Sequence, residues 1–391
     1  MINFKKNQLL RFNKDKIKNK NILVRVDFNV VFQKNQISEA YRIKSCKKTL
    51  DFLRSAKRIV LISHLGDSSV FLKDKNKKYS LKNILPLIEK ILKIKIAFLK
   101  DLDSKPKEKF NLLENIRFFK GEKENDLRFA KKLSNLGDIF INEAFSVSHR
   151  KHASVYLLPK ILKTFYGFQF EKEINILNKV LKKTKINKNN LGLILSGAKN
   201  STKLPLICKF LKKSRIIILA GGLANTFLKA KGFNIGKSLS EEEVLEKIKK
   251  IKSSKILIPF DFSVVNFKKN QMNFNKSQIK NKFLGEIDQN DFIGDIGKES
   301  LKFFLKQIKK TKYIIWNGPL GFIENESFQR GTLEFAKALI KMKKKFILIG
   351  GGDTLAFLEK KGLIFKFKNI STGGGAMLYY LANENLPIFE N

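Results

Sequence analysis

Short apolar runs recur along the chain, and each run ends in polar or glycine-rich residues. The runs hold three to five residues, mostly β-branched residues and leucine, and they occupy residues 22–26, 59–62, 139–141, 191–195, 216–219, 256–258, 313–316 and 346–349. Runs of this length between turn residues are typical of strands buried on both faces of a sheet. We therefore predict strands of parallel sheets at these positions.

Amphipathic helices are predicted between the runs. Apolar residues follow a 3.6-residue period over 81–92, where Pro86 predicts a local kink, and again over 170–183 and 244–251. The alternation of strands and helices predicts an α/β fold. Because the strands cluster before about residue 165 and after about residue 190, we predict two doubly wound parallel-sheet (Rossmann-like) domains. The helix over 170–183 would join them, with an active-site cleft between them. The Lys/Asn-rich stretch 268–282 is predicted as a solvated loop.

Length and composition bound the class of protein. A chain of 391 residues that is 43% hydrophobic can form two or three domains. Its two cysteines, Cys46 and Cys208, exclude a disulfide framework and favour a reducing compartment. No apolar run reaches the roughly 18 residues of a membrane span, and residues 1–20 lack an apolar signal core. We expect a cytoplasmic protein.

The net charge of +44, from 79 Lys and Arg against 35 Asp and Glu, suggests a nucleic-acid partner. Only ten of these cations are Arg, and the lysines are spread along the chain among Asn, Ile and Phe. This mixture is typical of coding bias toward A/T-rich codons, whereas nucleic-acid readers concentrate Arg or interleave aromatic and basic residues. We therefore favour a solvated lysine surface.

Polar residues stand at the ends of the predicted strands in both halves of the chain. In open α/β sheets, ligands bind outside the carboxyl ends of the strands. The residues at these ends are Asp27, Asn29, Ser63, His64, Asn142, 196–199, Gly221, Gly222, Asn317 and 350–354. Two halves with such surfaces indicate an enzyme that closes on its substrates.

Four glycine-rich segments lie in the second half, at 196–199, 221–224, 350–354 and 371–376. Glycine lets backbone N–H groups approach a phosphate. None of the segments is a Walker A loop or a G-x-G-x-x-G motif, so one alone is more readily a turn. Four together favour a nucleotide site.

Three charged residues within or beside these segments fit phosphate chemistry. Asp353 is a candidate Mg²⁺ ligand beside nucleotide phosphates, and its alternative role is the N-cap of the helix beginning near Thr354; both can hold together. Lys199 and Lys203 are four residues apart and would share one helix face toward a transferring phosphoryl group. In a lysine-rich chain such spacing is weak by itself, and the argument depends on its position beside Gly197.

The scarce arginines of the first half stand near polar clusters. Arg42, Arg117 and Arg150 are candidates for bidentate binding of phosphate or carboxylate, and so is Arg25. The alternative is a structural salt bridge, which is most credible for Arg25 because its strand position next to Asp27 could make it internal. All three histidines (His64, His149 and His152) fall in the same clusters. Without an HExxH motif or cysteine pairs, we favour hydrogen bonding to an anionic substrate over a zinc site.

Taken together, these segments resemble phosphoglycerate kinases. The matching stretches are VRVDFNV at 24–30, SHLG at 63–66, LENIRF at 113–118, NEAF at 142–145, HRKHAS at 149–154, WNGPLGFIE at 316–324, GGGDT at 350–354 and STGGGA at 371–376. They follow the family's order over about nine tenths of the chain, so the joint match is highly specific.

The resemblance implies reversible phosphoryl transfer between 1,3-bisphosphoglycerate with MgADP and 3-phosphoglycerate with MgATP. It implies a glycerate-binding domain of residues 1–169 and 376–391, a connecting helix of 170–185 and a nucleotide-binding domain of 186–375. Catalytic roles fall on Arg42, Lys199 and Lys203. Substrate binding falls on Asp27, Phe28, Asn29, Arg42, His64, Leu65, Gly66, Asp67, Arg117 and Arg150. Binding of ATP or ADP falls on Gly197, Ala198, Lys199, Lys203, Gly221, Gly297, Asn317, Pro319, Glu324, Gly351, Gly352, Asp353 and Thr354, with Asp353 also as the Mg²⁺ ligand.

One departure from the family affects the substrate site. Asp67 and Ser68 stand where the family has Arg-Pro after SHLG, so an anion replaces a cation that would face an anionic substrate. Either substrate binding is weaker or a nearby lysine such as Lys73 or Lys75 substitutes. Ser196 and Glu143 replace a family Gly and Asp, which are milder changes.

Two other functions compete with the active glycolytic kinase. One is a decayed kinase scaffold whose basic surface binds polyanions, and the other is a different ATP-dependent small-molecule kinase. For the kinase we expect a monomer without specific nucleic-acid or membrane partners.

Overall fold

Two six-stranded parallel sheets form the framework, one in each of two units into which the chain divides. The computed structural model describes residues 8–9, 14–33, 36–38, 40–66, 77–186, 190–197, 200–266 and 278–390. Unit one consists of Met1–Leu177 and Gly375–Asn391, and unit two of Asn178–Gly374. No helix in these ranges is long and apolar enough to cross a membrane.

Unit one begins with strands and short helices in alternation. Its strands are β1 (Asn21–Arg25), β2 (Val31–Gln33), β3 (Gln36–Ser38), β4 (Arg58–Ile62), β5 (Ala97–Leu99), β6 (Phe110–Leu113), β7 (Ile139–Asn142) and β8 (Lys163–Tyr166). Its helices are α1 (Ala40–Ser45), α2 (Lys47–Phe52), α3 (Leu85–Leu92), α4 (Lys120–Lys123), α5 (Leu127–Ser134), α6 (Leu158–Ile161) and the start of α7 (Phe168–Ile186).

The sheet of unit one has the order β5-β6-β4-β1-β7-β8, with every neighbouring pair parallel. Alternate residues of β1 enter different cores, since Ile22 and Val24 pack on one face and Leu23 on the other. This two-sided burial explains the continuous apolar runs in the sequence. Because β4, β1 and β7 are parallel neighbours in the sheet, their carboxyl ends lie side by side.

Unit two contains strands β9 (Leu191–Ser196), β10 (Ile216–Ala220), β11 (Ile256–Leu257), β12 (Asp261–Asn266), β13 (Lys280–Phe283), β14 (Asp291–Ile296), β15 (Tyr313–Asn317), β16 (Phe346–Gly350) and β17 (Asn369–Ser371). Its helices are α8 (Asn200–Leu211), α9 (Gly221–Ala230), α10 (Leu245–Lys249), α11 (Lys298–Ile308), α12 (Arg330–Lys341) and α13 (Gly352–Lys360). Helix α14 (Gly374–Asn383) begins at the end of this unit and continues into unit one.

The parallel sheet of unit two has the order β11-β10-β9-β15-β16-β17. Strands β12, β13 and β14 form a separate antiparallel sheet in the order β13-β12-β14. This second sheet was not predicted from the sequence.

All eight predicted strands are present, with ends that differ by one residue at most. The helix predicted over 81–92 is a 3₁₀ helix over Leu81–Ile84 that continues into α3. Pro86, where a local kink was predicted, lies in the first turn of α3, where a missing N–H costs no intrahelical hydrogen bond. The prediction of a solvated loop was wrong. The stretch 268–282, predicted as a solvated loop, contains part of strand β13, while residues 267–277 lie outside the described residues.

Candidate active site

Asp27 lies just beyond strand β1 and collects hydrogen bonds from two other elements. Its Oδ2 accepts from Arg42 Nη1 of helix α1 at 2.8 Å and from Ser146 Oγ, which follows β7, at 2.6 Å. Its Oδ1 accepts from the backbone N–H of Asn29 at 3.1 Å. The side chains of Asp27 and Arg42 are only 9% and 12% exposed, so the pair is shielded from water.

The loop after β4 is hydrogen-bonded to the residues that follow β1. The N–H of Gly66 donates to Asn29 Oδ1 at 2.7 Å, and Arg117 Nη1 donates to the carbonyl of Gly66 at 2.6 Å. The N–H of Phe28 donates to Ser63 Oγ at 2.9 Å. Leu65 is buried. Asp67, together with Lys73 and Lys75, lies outside the described residues.

Arg25 is internal, as its alternative role predicted, but within the described ranges it binds a hydroxyl, a carbonyl and an imidazole rather than a carboxylate. Its Nε donates to Ser154 Oγ at 3.1 Å, Nη1 donates to the Val26 carbonyl at 2.6 Å, and Nη2 lies 3.1 Å from His64 Nδ1. Ser154 in turn donates from Oγ to the buried carboxylate of Glu122 at 2.7 Å. The network therefore joins the ends of β1 and β4 to residues 122 and 154.

The three histidines are held neutral. Burial first, and then nearby guanidinium groups, lower the pKa of His64 well below its usual value. The same causes lower the pKa of His149 to about 4 and that of His152 to about 3. Four guanidinium groups act on His64, in decreasing order those of Arg117, Arg25, Arg150 and Arg42. The predicted arginines thus converge on one electropositive site in unit one.

Unit two contains a cavity of about 240 Å³ at the carboxyl ends of its parallel strands. Among the predicted nucleotide residues, its lining includes Gly197, Gly221, Pro319, Glu324 and Asp353. The described lining carries five polar side chains, namely Ser196, Asn225, Asp295, Glu324 and Asp353. Aromatic rings from the antiparallel sheet and the 316–324 motif complete it, namely Phe262, Phe292 and Phe322. Such a cavity, mostly apolar with a few polar groups, is typical of a small-ligand site.

The glycine-rich segments adopt backbone conformations that favour glycine. Gly197 has φ of +117° and Gly351 has φ of +97°, both in the left-handed region. A Cβ at position 351 would lie 3.4 Å from Asn317 Nδ2. At these glycines the backbone itself lies next to the cavity or to Asn317, with no side chain between them.

The side chain of Lys203, on helix α8, contacts the first glycine-rich segment, 196–199. Its Nζ donates to the Ser196 carbonyl. Burial lowers the pKa of Lys203 to about 8, and the attraction of Asp353 partly opposes this. The ammonium group thus lies near both the glycine loop and the candidate metal ligand. Ala198 and Lys199 lie outside the described residues.

The segment around Asn317 leaves one amide without a protein partner. Within the described ranges, Nδ2 of Asn317 is buried and has no hydrogen-bond acceptor. Thr354 Oγ1 accepts from the Gly318 N–H at 3.1 Å, which ties α13 to the end of β15. Gly351, rather than Asp353, is the N-cap of α13, so the capping alternative for Asp353 was wrong. Asp353 lies in the first helical turn with an exposed side chain.

The cavity lining differs in part from the residues predicted for the nucleotide. The predicted nucleotide residues that are described and do not line the cavity are Lys203, Gly297, Asn317, Gly351, Gly352 and Thr354. Gly297 is the N-cap of α11, and its N–H donates to the Asp261 carbonyl at 2.7 Å. Asn225 and Asp295 line the cavity but were not predicted. Asp295 comes from the antiparallel sheet, which no apolar run indicated, whereas Asn225 follows the second glycine segment directly.

Comparison with known proteins agrees with this geometry. The family model described as phosphoglycerate kinase matches residues 12–384. The phosphoglycerate kinase of Borreliella burgdorferi (strain ZS7) is 38% identical, with 95% of this chain and 96% of the relative covered. That of Wigglesworthia glossinidia brevipalpis is 39% identical, with 96% and 94% covered.

Solved structures give the same result. The phosphoglycerate kinase of Coxiella burnetii matches with a TM-score of 0.74 at 31% identity, covering 98% of this chain and 97% of that one. The enzyme of Pyrococcus horikoshii OT3 matches with a TM-score of 0.79 at 27% identity, covering 97% of each chain. The chain therefore belongs to the phosphoglycerate kinase family.

Proposed function

We propose how the residues of this chain perform the reaction of its family, the reversible phosphoryl transfer between 1,3-bisphosphoglycerate with MgADP and 3-phosphoglycerate with MgATP. The glycerate binds to the arginine cluster of unit one, and the nucleotide binds in the cavity of unit two. The observation that carries this assignment is that Arg42 and Arg117 are held beside the ends of β1 and β4, through bonds to Asp27 and to the Gly66 carbonyl. Their charges and that of Arg150 contribute, with burial, to lowering the pKa of His64.

The arginine cluster suits a small acid with a phosphate and a carboxylate. Guanidinium groups bind both anions bidentately, and burial strengthens those contacts. Asp27 limits the net charge and orients Arg42 through the bond at 2.8 Å. Asn29, Arg117 and the backbone of Gly66 hold the loop that carries His64 and Leu65.

In unit two, the aromatic rings and glycine backbone fit a purine nucleotide. Glu324 is the proposed partner of the ribose hydroxyls. The glycines at 197, 221, 351 and 352 and the side chains of Asn317 and Thr354 would surround the phosphates. The orphan Nδ2 of Asn317 supports this, because a buried amide donor is stabilised by an anionic acceptor. Gly297 is proposed as a further contact at the N-terminus of α11, where its own N–H donates to the Asp261 carbonyl.

The residues present fit Mg²⁺ that is bound with the nucleotide. Among the described residues, no cluster of three or more His, Cys, Asp or Glu could hold a metal alone. The exposed carboxylate of Asp353 fits the usual Mg²⁺ arrangement of one or two carboxylates with substrate phosphates and water. When bound, Mg²⁺ would neutralise phosphate charge.

Phosphoryl transfer needs positioning and positive charge more than covalent help from the protein. We propose that Arg42 orients and neutralises the acceptor side of the migrating group, and that Lys199 and Lys203 do so on the nucleotide side. A closed state that excludes water would prevent hydrolysis of the phosphoryl group. The two substrates must meet in that state for the reaction to occur.

Further expectations concern the setting of the enzyme. We propose that it acts in the cytoplasm as a monomer and that its lysine surface has no specific nucleic-acid partner. The polyanion-binding alternative predicts salt-dependent retention on DNA with a steep slope.

A coupled assay of ATP-dependent 1,3-bisphosphoglycerate formation tests the proposal. We expect turnover by the wild-type chain and at least about 10³-fold less by Arg42→Ala, the range found for arginines that act on transferring phosphoryl groups. Absent turnover in the wild type, with steep salt-dependent DNA binding, would instead favour the polyanion-binding scaffold.

A further inference from the structure

His64 and Arg25 meet inside unit one at the ends of two neighbouring strands. Arg25 is the last residue of β1, and His64 follows β4 by two residues; the two strands are parallel partners with Arg25 opposite Ile62. Arg25 is 1% exposed and His64 is 2% exposed. Arg25 Nη2 lies 3.1 Å from His64 Nδ1, which is hydrogen-bond distance.

The chemistry of the two groups decides the direction of this bond. A guanidinium group has five N–H donors and no acceptor, and it stays protonated in proteins. Nδ1 of His64 must therefore accept. A neutral imidazole that accepts at one nitrogen carries its proton on the other.

Burial and the surrounding positive charges both keep the imidazole of His64 neutral. The guanidinium groups of Arg25, Arg42, Arg117 and Arg150 all oppose a charge on the ring, in addition to burial. No carboxylate lies within ion-pair distance of His64 in the described part of the chain. The neutral tautomer with its proton on Nε2 and an unprotonated Nδ1 is the one form of His64 that can accept the hydrogen bond from Arg25.

Arg25 is itself firmly oriented. Its other donors bind Ser154 Oγ at 3.1 Å and the Val26 carbonyl at 2.6 Å. Ser154 is held by both oxygens of Glu122, which accept from its Oγ at 2.7 Å and its N–H at 2.9 Å. These bonds fix the orientation of the guanidinium plane independently of its contact with His64.

We propose that Arg25 is a positioning residue that fixes His64 in its Nε2–H tautomer, so that His64 donates a neutral hydrogen bond from Nε2 to the bound three-carbon acid. Within the described residues, no protein group accepts a hydrogen bond from Nε2, which leaves this donor to a ligand. A neutral donor adds direction without further charge, beside arginines that already supply the charge. The ligand half of this proposal rests on the proposed function.

Nuclear magnetic resonance of the ¹⁵N-histidine-labelled protein tests the tautomer directly. The chain has three histidines, so three imidazole systems are expected, and His64→Gln assigns one of them. We expect Nδ1 of His64 to show the shift of an unprotonated nitrogen and Nε2 that of a protonated one, unchanged from about pH 5 to about pH 8. A protonated Nδ1, or titration of the ring in this range, would overturn the proposal.

Two variants separate positioning from folding. Arg25→Lys keeps a charged donor and should keep the tautomer, whereas Arg25→Met removes the donor and should give mixed tautomers. His149 is the internal reference, because Arg150 Nε approaches its other nitrogen, Nε2, at 3.5 Å, so we expect the opposite tautomer there. Should Arg25→Met fail to fold, the wild-type spectrum and Arg25→Lys still decide.

Adding 3-phosphoglycerate tests the ligand half. We expect the Nε2 proton signal of His64 to shift with saturation at the dissociation constant measured by calorimetry. Binding without a shift at Nε2 would overturn this half alone. Absent calorimetric binding would count against the proposed function, while the tautomer assignment would stand on the free-protein spectrum.

Discussion

Arg42 donates from Nη1 to Oδ2 of Asp27 across 2.8 Å, which joins helix α1 to the carboxyl end of strand β1. Ser146 donates to the same oxygen at 2.6 Å from the loop after β7. Three elements therefore determine where the guanidinium group lies. The shielded pair differs from the exposed pair of Arg54 and Asp51, whose side chains are 51% and 43% exposed.

Asp27→Asn should weaken glycerate binding without affecting the nucleotide. The amide keeps the shape but loses the charge that orients Arg42, and hydrogen bonds to charged groups contribute about 1.5–3 kcal/mol, or roughly 10- to 150-fold. We expect the KM for 3-phosphoglycerate to rise within that range and the KM for ATP to stay constant. Asp51→Asn, which changes an exposed pair, is the matched control and should leave both constants unchanged. A joint rise of both KM values in Asp27→Asn would contradict the local role.

Lys203 should make nucleotide affinity depend on pH. With a pKa near 8 in the free protein, its charge is present below pH 8 and is lost above it. Since the ammonium form attracts phosphate, affinity for ADP should be highest below about pH 8 and fall by at most about tenfold per pH unit above it. Calorimetry in buffers of different ionisation enthalpy should show proton uptake on binding near pH 8.

Two variants check the assignment of this pH dependence. Lys203→Arg keeps its charge and should remove the decline, whereas Lys209→Met changes an exposed lysine on the same helix and should retain it. An unchanged decline in Lys203→Arg would assign the titration to another group.

Gly197→Ala should separate backbone strain from loss of the phosphate site. At φ of +117°, a Cβ is strained and would lie 2.5 Å from Lys203 Nζ. Gly232 has φ of +88°, and a Cβ there would have no atom within 4 Å, so Gly232→Ala carries the strain alone. We expect both variants to lose about 1–2 kcal/mol of stability in urea unfolding. Only Gly197→Ala should raise the KM for ATP; equal KM values in the two variants would remove Gly197 and Lys203 from the site.

The parallel sheets were predictable because their strands are buried on both faces. Apolar runs such as 216–219 persist even in so lysine-rich a chain. Strands β12 and β14 gave no such signal because Ser263, Gly294 and Asp295 interrupt their apolar residues. Strand β13 has the sequence KNKF, and three of its four residues are exposed. Its Lys282 instead binds the buried Asp291 at 2.7 Å, an ion pair that no local pattern indicates.

The residues of the candidate site likewise fall into those that the sequence predicted and those that depend on tertiary packing. Glycine loops and strand-end polar residues were visible as motifs, because backbone conformation and sheet-end position are local properties. The aromatic walls at Phe262 and Phe292 depend on how the antiparallel sheet packs, which is a tertiary property. The bond between Arg25 and His64 joins residues 39 apart, so its geometry needs the strand register.

Glu143 should make stability depend on pH through the N-terminus of α7. Its carboxyl group accepts from Thr49 Oγ1 at 2.6 Å and from the N–H groups of Gln169 and Phe170 at 3.1 and 3.3 Å. Burial nevertheless raises its pKa from 4.5 to about 8. The folded state then holds a proton that the unfolded state releases, so this contribution to stability is full below pH 4.5 and is lost as pH rises to about 8.

The measurement compares urea unfolding of the wild type and Glu143→Gln across this range. The neutral amide cannot ionise, so its free energy of unfolding should lack the decline, and the difference between the two proteins should change steadily between about pH 5 and about pH 8. A constant difference would mean that the helix N-terminus keeps Glu143 ionised and that burial does not dominate.

Asp67→Arg should improve glycerate binding, because the substitution restores the cation found in the family. At about 8 Å and an effective dielectric near 20, each unit charge contributes roughly 2 kcal/mol against a unit anion, so the two-unit change approaches about 4 kcal/mol before salt screening. We expect the KM for 3-phosphoglycerate to fall by about tenfold or more, and the gain to shrink as ionic strength rises. Asp103→Arg, an equal charge change at an exposed site of unit one, controls for net charge. An unchanged KM in Asp67→Arg would favour compensation by Lys73 or Lys75, and Lys73→Met and Lys75→Met in the wild-type background should then raise it.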